Sequence, residues 1–80
     1  MTICELRKNK NLTQYEIATK CFIAQNSYSQ WESGKRQPSI EQLPKIADIL
    51  HCSIEELVLA LIETKQTYTS KLNKKSKLGG

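Results

Sequence analysis

Between Leu12 and Ser39, the run LTQYEIATKCFIAQNSYSQWESGKRQPS confines two short helical patterns, a tight connection and a glycine-containing exit to one small stretch. Thr13 and Glu16 have the T-x-x-E spacing of a capping box, in which side chain and backbone satisfy each other at a helix start. Ile17, Ala18 and Cys21 then fall on one apolar stripe. After a break at Phe22-Ile23, residues 25–32 offer Tyr28 and Trp31 as an inner face. The opposite face is an uncharged set of amide and hydroxyl side chains. Gly34 suits the left-handed position that ends a helix. Two helices this short cannot enclose a core, so the rest of the chain must supply their packing partners.

The remaining sequence reads as three more helices. The first covers about residues 2–10, with Ile3 and Leu6 inward and Arg7, Lys8 and Lys10 near its C-terminal end, where cations suit the helix dipole. A fourth, about 40–50 behind Ser39, repeats Ile40, Leu43, Ile46, Ala47 and Leu50 at helical spacing. Pro44 lies inside it, and a local bend is expected there. Ser53 and Glu56 repeat the capping-box spacing before a fifth helix from Ile54. Its run Leu57-Val58-Leu59-Ala60-Leu61-Ile62 is apolar all the way round, which one core face cannot absorb. Either the helix is sandwiched, or its second face meets another subunit. Leu61, Tyr68 and Leu72 continue a heptad-like spacing that would extend the helix, against the weak helix formers Thr64, Thr67 and Thr69. From Lys71 on, the Lys-, Asn-, Ser- and Gly-rich string reads as disordered.

Composition narrows the function. Eighty residues make one domain, burying roughly 60% of its unfolded surface and leaving little room for an enzyme cleft. The net charge of +4 is misleading as a sum. Residues 1–63 hold seven cations against eight acids, whereas residues 64–80 hold Lys65, Lys71, Lys74, Lys75 and Lys77 and no acid. Any nucleic-acid binding by the folded part must therefore rest on local placement of cations. No apolar run approaches a membrane span, and the N-terminus lacks the plan of a signal peptide, so a cytoplasmic protein is expected. Cys4, Cys21 and Cys52 are widely spaced and sit at apolar positions. They read as small hydrophobes rather than as disulfides or, with His51, a zinc site. No nucleophile–base pair is apparent, and neither a catalytic residue nor a cofactor is expected.

Two helices joined by a short turn, the second presenting Gln and Asn outward, suit the reading of base edges in a DNA major groove. A wider set of residues points the same way. It comprises Leu6-Arg7, Leu12-Thr13-Gln14, Glu16-Ile17-Ala18, Ile23, Trp31-Glu32-x-Gly34-Lys35, Pro38-Ser39, Leu43, Ile46-Ala47, Leu50 and Ser53-Ile54-x-Glu56-Leu57. Through them the segment from Leu6 to Val58 resembles the Cro/CI-type, or XRE, helix-turn-helix family. Three residues depart from its pattern: Phe22 and His51 stand where glycine is common, and Ala24 replaces the usual Ser/Thr cap of the recognition helix.

The resemblance implies an all-α, five-helix, lambda-repressor-like domain over residues 1–63, followed by a helix extension or flexible basic tail over 64–80. It implies a transcriptional regulator of the repressor type that binds double-stranded DNA. Gln25, Asn26, Ser29 and Gln30 would read bases, since amides pair bidentately with adenine. Thr13, Gln14, Ser27, Lys35, Arg36 and Gln37 would contact the DNA backbone, and Arg7 with Glu32 would form a structural ion pair. A homodimer on a pseudo-palindromic operator is expected, with Leu57, Leu59, Leu61 and Ile62 as its apolar interface. The alternative is an antitoxin-like interaction module that binds a protein through its tail while regulating its own operon.

Overall fold

Three of the five α-helices open on the same reciprocal cap in the computed structural model, which describes the backbone of residues 1–79 and the side chains of residues 1–71. Thr2 N–H donates to Glu5 Oε1 at 2.8 Å, and Glu5 N–H to Thr2 Oγ1 at 3.3 Å, starting α1 (Ile3–Asn9). Thr13 and Glu16 start α2 (Gln14–Lys20) in the same way, at 2.8 and 3.1 Å. Ser53 and Glu56 do so for α5 (Ile54–Gly79), both bonds at 3.0 Å. Each box satisfies two backbone donors that a helix start otherwise leaves unpaired. The α3 helix (Gln25–Ser33) has no such aid. Its cap residue Ala24 has extended backbone, and no side chain there bonds to a free N–H.

Helix ends are equally uniform. Asn11, Phe22 and His51 take φ values of 57°, 58° and 53°, directly after α1, α2 and α4 (Leu43–Ile49). At each, the left-handed residue donates to a carbonyl three residues back, and its successor to one five back. Phe22 N–H bonds Thr19 O at 3.1 Å and Ile23 N–H bonds Ala18 O at 3.0 Å, the double bond of a Schellman ending. Phe22 is thus left-handed despite its Cβ. Gly34, at φ 86°, ends α3.

The expected fourth helix is corrected in its first half. Residues Ile40–Gln42 form a 3₁₀ turn, and α4 begins only at Leu43. Pro44 therefore sits in the first turn of α4, where its missing N–H has no intrahelical partner to lose, and no bend is needed. The Ser39 side chain makes no capping bond.

The core gathers Ile3 from α1, Ile17 and Ala18 from α2, Tyr28 and Trp31 from α3, Ile46 and Ala47 from α4, and Leu57, Ala60 and Leu61 from α5, with Cys21 and Leu50 between. Tyr28 and Trp31 meet edge to face, their ring centroids 5.8 Å apart. Leu57 and Leu61 are buried here, so two of the four expected dimer residues belong to the protomer's own core. Leu59 and Ile62 point away from it and are exposed. Residue 63, the expected end of the folded domain, lies within α5, and the next residue, Thr64, is buried. Its hydroxyl donates to Ala60 O at 2.8 Å and accepts from Ile3 N–H at 3.2 Å. The backbone of α5 continues through Lys71, the expected start of a disordered tail, to Gly79, so the helix extension expected over 64–80 takes its place. The partner contact assigned to that tail falls partly on residues 72–80, whose side chains lie outside the described residues. Among the described residues no helix is long and apolar enough to cross a membrane.

Candidate nucleic-acid interface

The α3 helix carries its inward face on Tyr28 and Trp31, and this fixes which side chains remain outside. Gln25, Asn26 and Ser27 are exposed at its N-terminal end, and Ser29 and Gln30 are half-buried along its flank. Lys35, Arg36 and Gln37 follow in the exit loop, all exposed. That loop is held to α3 by its backbone: Arg36 N–H donates to Gln30 O at 3.1 Å. The amide and hydroxyl surface therefore lies next to a pair of exposed cations, in a domain whose residues 1–63 are nearly neutral in sum.

A polar cluster beneath this surface joins three helices. Glu32, near the end of α3, is almost wholly enclosed, its side chain 6% exposed. It receives Arg7 Nε at 2.5 Å and Arg7 Nη2 at 3.2 Å, a two-pronged contact from α1. Arg7 Nη1 also donates to Leu12 O at 2.7 Å, at the entry to α2. Gln14 Nε2 donates to Glu32 Oε1 at 2.9 Å. Burial alone would raise the Glu32 pKa, but the donors Arg7 and Gln14 and the guanidinium charge outweigh it and hold the carboxyl below its ordinary range. The Tyr28 hydroxyl is buried beside the same carboxylate, and burial pushes its pKa far up. It stays a neutral phenol.

The residues expected at the DNA backbone divide accordingly. Lys35, Arg36, Gln37 and Ser27 are exposed. Thr13 has its hydroxyl engaged by Glu16 N–H in the cap of α2. Gln14 is half-buried and tethered to Glu32, a link between residues 18 apart that no local pattern signals. A second feature is visible only in three dimensions. Leu59 and Ile62 border a groove of about 410 Å³ between α1 and α5, which Met1, Leu6 and Ala60 also line and Glu56 and Glu63 flank. The terminal ammonium of Met1 pairs with Glu63 at 2.8 Å across it. Among the described residues no three His, Cys, Asp or Glu side chains converge as a metal site would require.

A short helix packed across a second one, its polar face outward and cations at its exit, defines a helix-turn-helix domain. A family model described as helix-turn-helix matches residues 4–57, and the chain belongs to that family, in its Cro/CI-type branch. It is 39% identical over 54 residues to the HTH-type transcriptional activator BcrR of Enterococcus faecalis, covering 68% of this chain and 26% of that protein. It is 47% identical over 51 residues to the transcriptional repressor RstR of the cryptic phage CTXphi of Vibrio cholerae, covering 64% and 46%. With the HTH-type transcriptional regulator AnsR of Bacillus subtilis it shares 40% over 65 residues, covering 81% and 55%. The chain thus spans little more than half of these relatives at most. No solved structure matches it significantly.

Proposed function

We propose that this chain is the DNA-binding unit of a transcription regulator of the repressor type, and that it reads the major groove with α3. The observation that carries this reading is the exposed, uncharged face of Gln25, Asn26 and Ser27 beside the cations of Lys35 and Arg36. Cations approach phosphates first and release counterions, which gives salt-dependent affinity without sequence preference. Gln14 and Ser27 add neutral donors to the same backbone. Gln25, Asn26 and Gln30 then meet base edges, each bidentate amide–adenine pair discriminating by about 1–3 kcal/mol. Ser29 adds a smaller hydroxyl contact on that flank.

One domain supplies few base contacts. A two-fold homodimer doubles them, and the exposed Leu59 and Ile62 with the Met1 groove offer the apolar surface for it. Half-site centres are then about 10–10.5 bp apart, or a multiple of that. Selection of binding sites from random duplex DNA at two salt concentrations tests all of this together. A two-fold symmetric consensus, with tighter binding at the lower salt, is expected. Recovery of no consensus at either concentration would remove the base-reading role of α3.

A further inference from the structure

We propose that Glu32 is a positioning residue for DNA binding, holding Gln14 ready for its phosphate before DNA arrives. The inference rests on the reading of Gln14 as a backbone ligand. An ionised carboxylate only accepts hydrogen bonds, so the 2.9 Å contact between Gln14 and Glu32 fixes the amide with its nitrogen toward Glu32. That nitrogen carries two hydrogens. One is used inside the protein, and the other remains to donate to an anion at the start of α2. Without the tether, a glutamine at a helix start would sample several rotamers and lose that freedom on binding.

Glu32 can do this without repelling phosphate, because Arg7 neutralises it. The guanidinium grips both carboxylate oxygens and also Leu12 O, so the acceptor and the backbone leading into α2 are set by one group. The Arg7–Glu32 pair is thereby linked to DNA affinity as well as to stability. Ordering one flexible side chain in advance corresponds to about 2- to 12-fold in affinity per domain. A phosphate contact is blind to sequence, so the gain applies equally to selected and random DNA.

The test is a mutant cycle read on both kinds of duplex at one salt concentration. Gln14→Ala weakens both. Arg7→Met with Glu32→Leu replaces the buried pair by apolar groups, an exchange that folds tolerate far better than loss of one partner. It weakens both duplexes by about 2- to 12-fold. In the Gln14→Ala background the same exchange has no further effect on binding, whatever it does to the melting temperature. Independent, multiplying losses in the combined variant would overturn the positioning role and leave Gln14 as a phosphate ligand. If Gln14→Ala leaves affinity unchanged while Lys35→Ala lowers it, the Gln14 contact and this proposal both fall, and DNA binding stands. Should the apolar exchange not fold, relaxation of the side-chain amides in the DNA-free wild-type protein decides. Gln14 is expected near the rigid order parameter of about 0.85, and the exposed Gln25 below about 0.6. Equal mobility of the two amides refutes the tether.

Discussion

Two left-handed residues show how differently the same backbone conformation is tolerated along this chain. Phe22 adopts φ 58° with its ring 87% exposed, so its Cβ strain is offset by little burial; Lys45 Nζ lies 5.4 Å from the ring centroid. Replacing Phe22 by glycine should stabilise the domain by about 0.5–1 kcal/mol, the relief of left-handed strain less the extra freedom of the unfolded glycine. Gly34 is the opposite case. A Cβ there would lie 2.7 Å from Tyr68 Cβ and 2.9 Å from Thr64 O. Gly34→Ala combines strain with overpacking and should cost about 2–5 kcal/mol. Urea unfolding of both variants, read as midpoints at constant slope, checks the two signs. At the surface, Gln25→Ala and Lys35→Ala separate reading from attraction. The first should lose about 1–3 kcal/mol on the selected site and little on random DNA; the second should weaken both alike and lower the salt slope by about one. Binding titrations across a salt series distinguish them, and equal losses for Gln25→Ala on both DNAs would deny it a base contact.

At the scale of elements, the helix proposed to read DNA starts without a side-chain cap. Ala24 already has the extended backbone of a cap, φ −70° and ψ 145°, but contributes no side-chain bond to α3. Ala24→Ser should add one and stabilise the domain by about 1 kcal/mol, measured by thermal unfolding; no change would mean that the cap geometry is not met. The caps also show what was legible in the sequence. Thr13–Glu16 and Ser53–Glu56 announce themselves because the capping box is local, three residues from side chain to backbone. Thr2–Glu5 has the same spacing and was open to the same inference. The start of α4, with Pro44 in its first turn, is not marked by periodicity: a 3₁₀ turn followed by a helix keeps apolar residues about three apart, as one longer helix does. The Leu57–Ile62 run marks burial without saying which side is buried. That depends on where α1 and α3 pack, and Gly34 and Thr64 show them meeting α5 one turn further along than the apolar run extends. The Gln14–Glu32 link was illegible for the same reason, being made by tertiary packing.

For the whole molecule, acid and association probe different parts of the fold. Glu32 titrates below its ordinary value near 4.5 when folded, so the stability it contributes is present above that value and lost as pH falls through the lower, folded pKa. The capping residues Glu5, Glu16 and Glu56 shift in the same direction through their bonds to Thr2, Thr13 and Ser53. Melting temperatures should therefore fall progressively below about pH 4.5; a flat acid limb in a pH series of thermal scans would contradict the ionised Glu32 cluster. Association concerns a different surface, the exposed face of α5. The dimerisation proposed through Leu59 and Ile62 would link folding to protein concentration, since only the folded chain presents that face. The wild-type melting temperature should then rise with concentration. Ile62→Glu, at a site 47% exposed, should abolish that dependence while leaving the dilute-limit stability within about 0.5 kcal/mol. Leu61→Lys, one residue earlier but 8% exposed, should instead destabilise the protomer itself, by burying an unpaired ammonium. Sedimentation velocity on the two variants separates the outcomes: a folded monomer for Ile62→Glu supports the interface, and an unchanged dimer moves it elsewhere. Because two linked half-sites bind as one, the monomeric variant should also lose affinity for a full operator far more than for a single half-site.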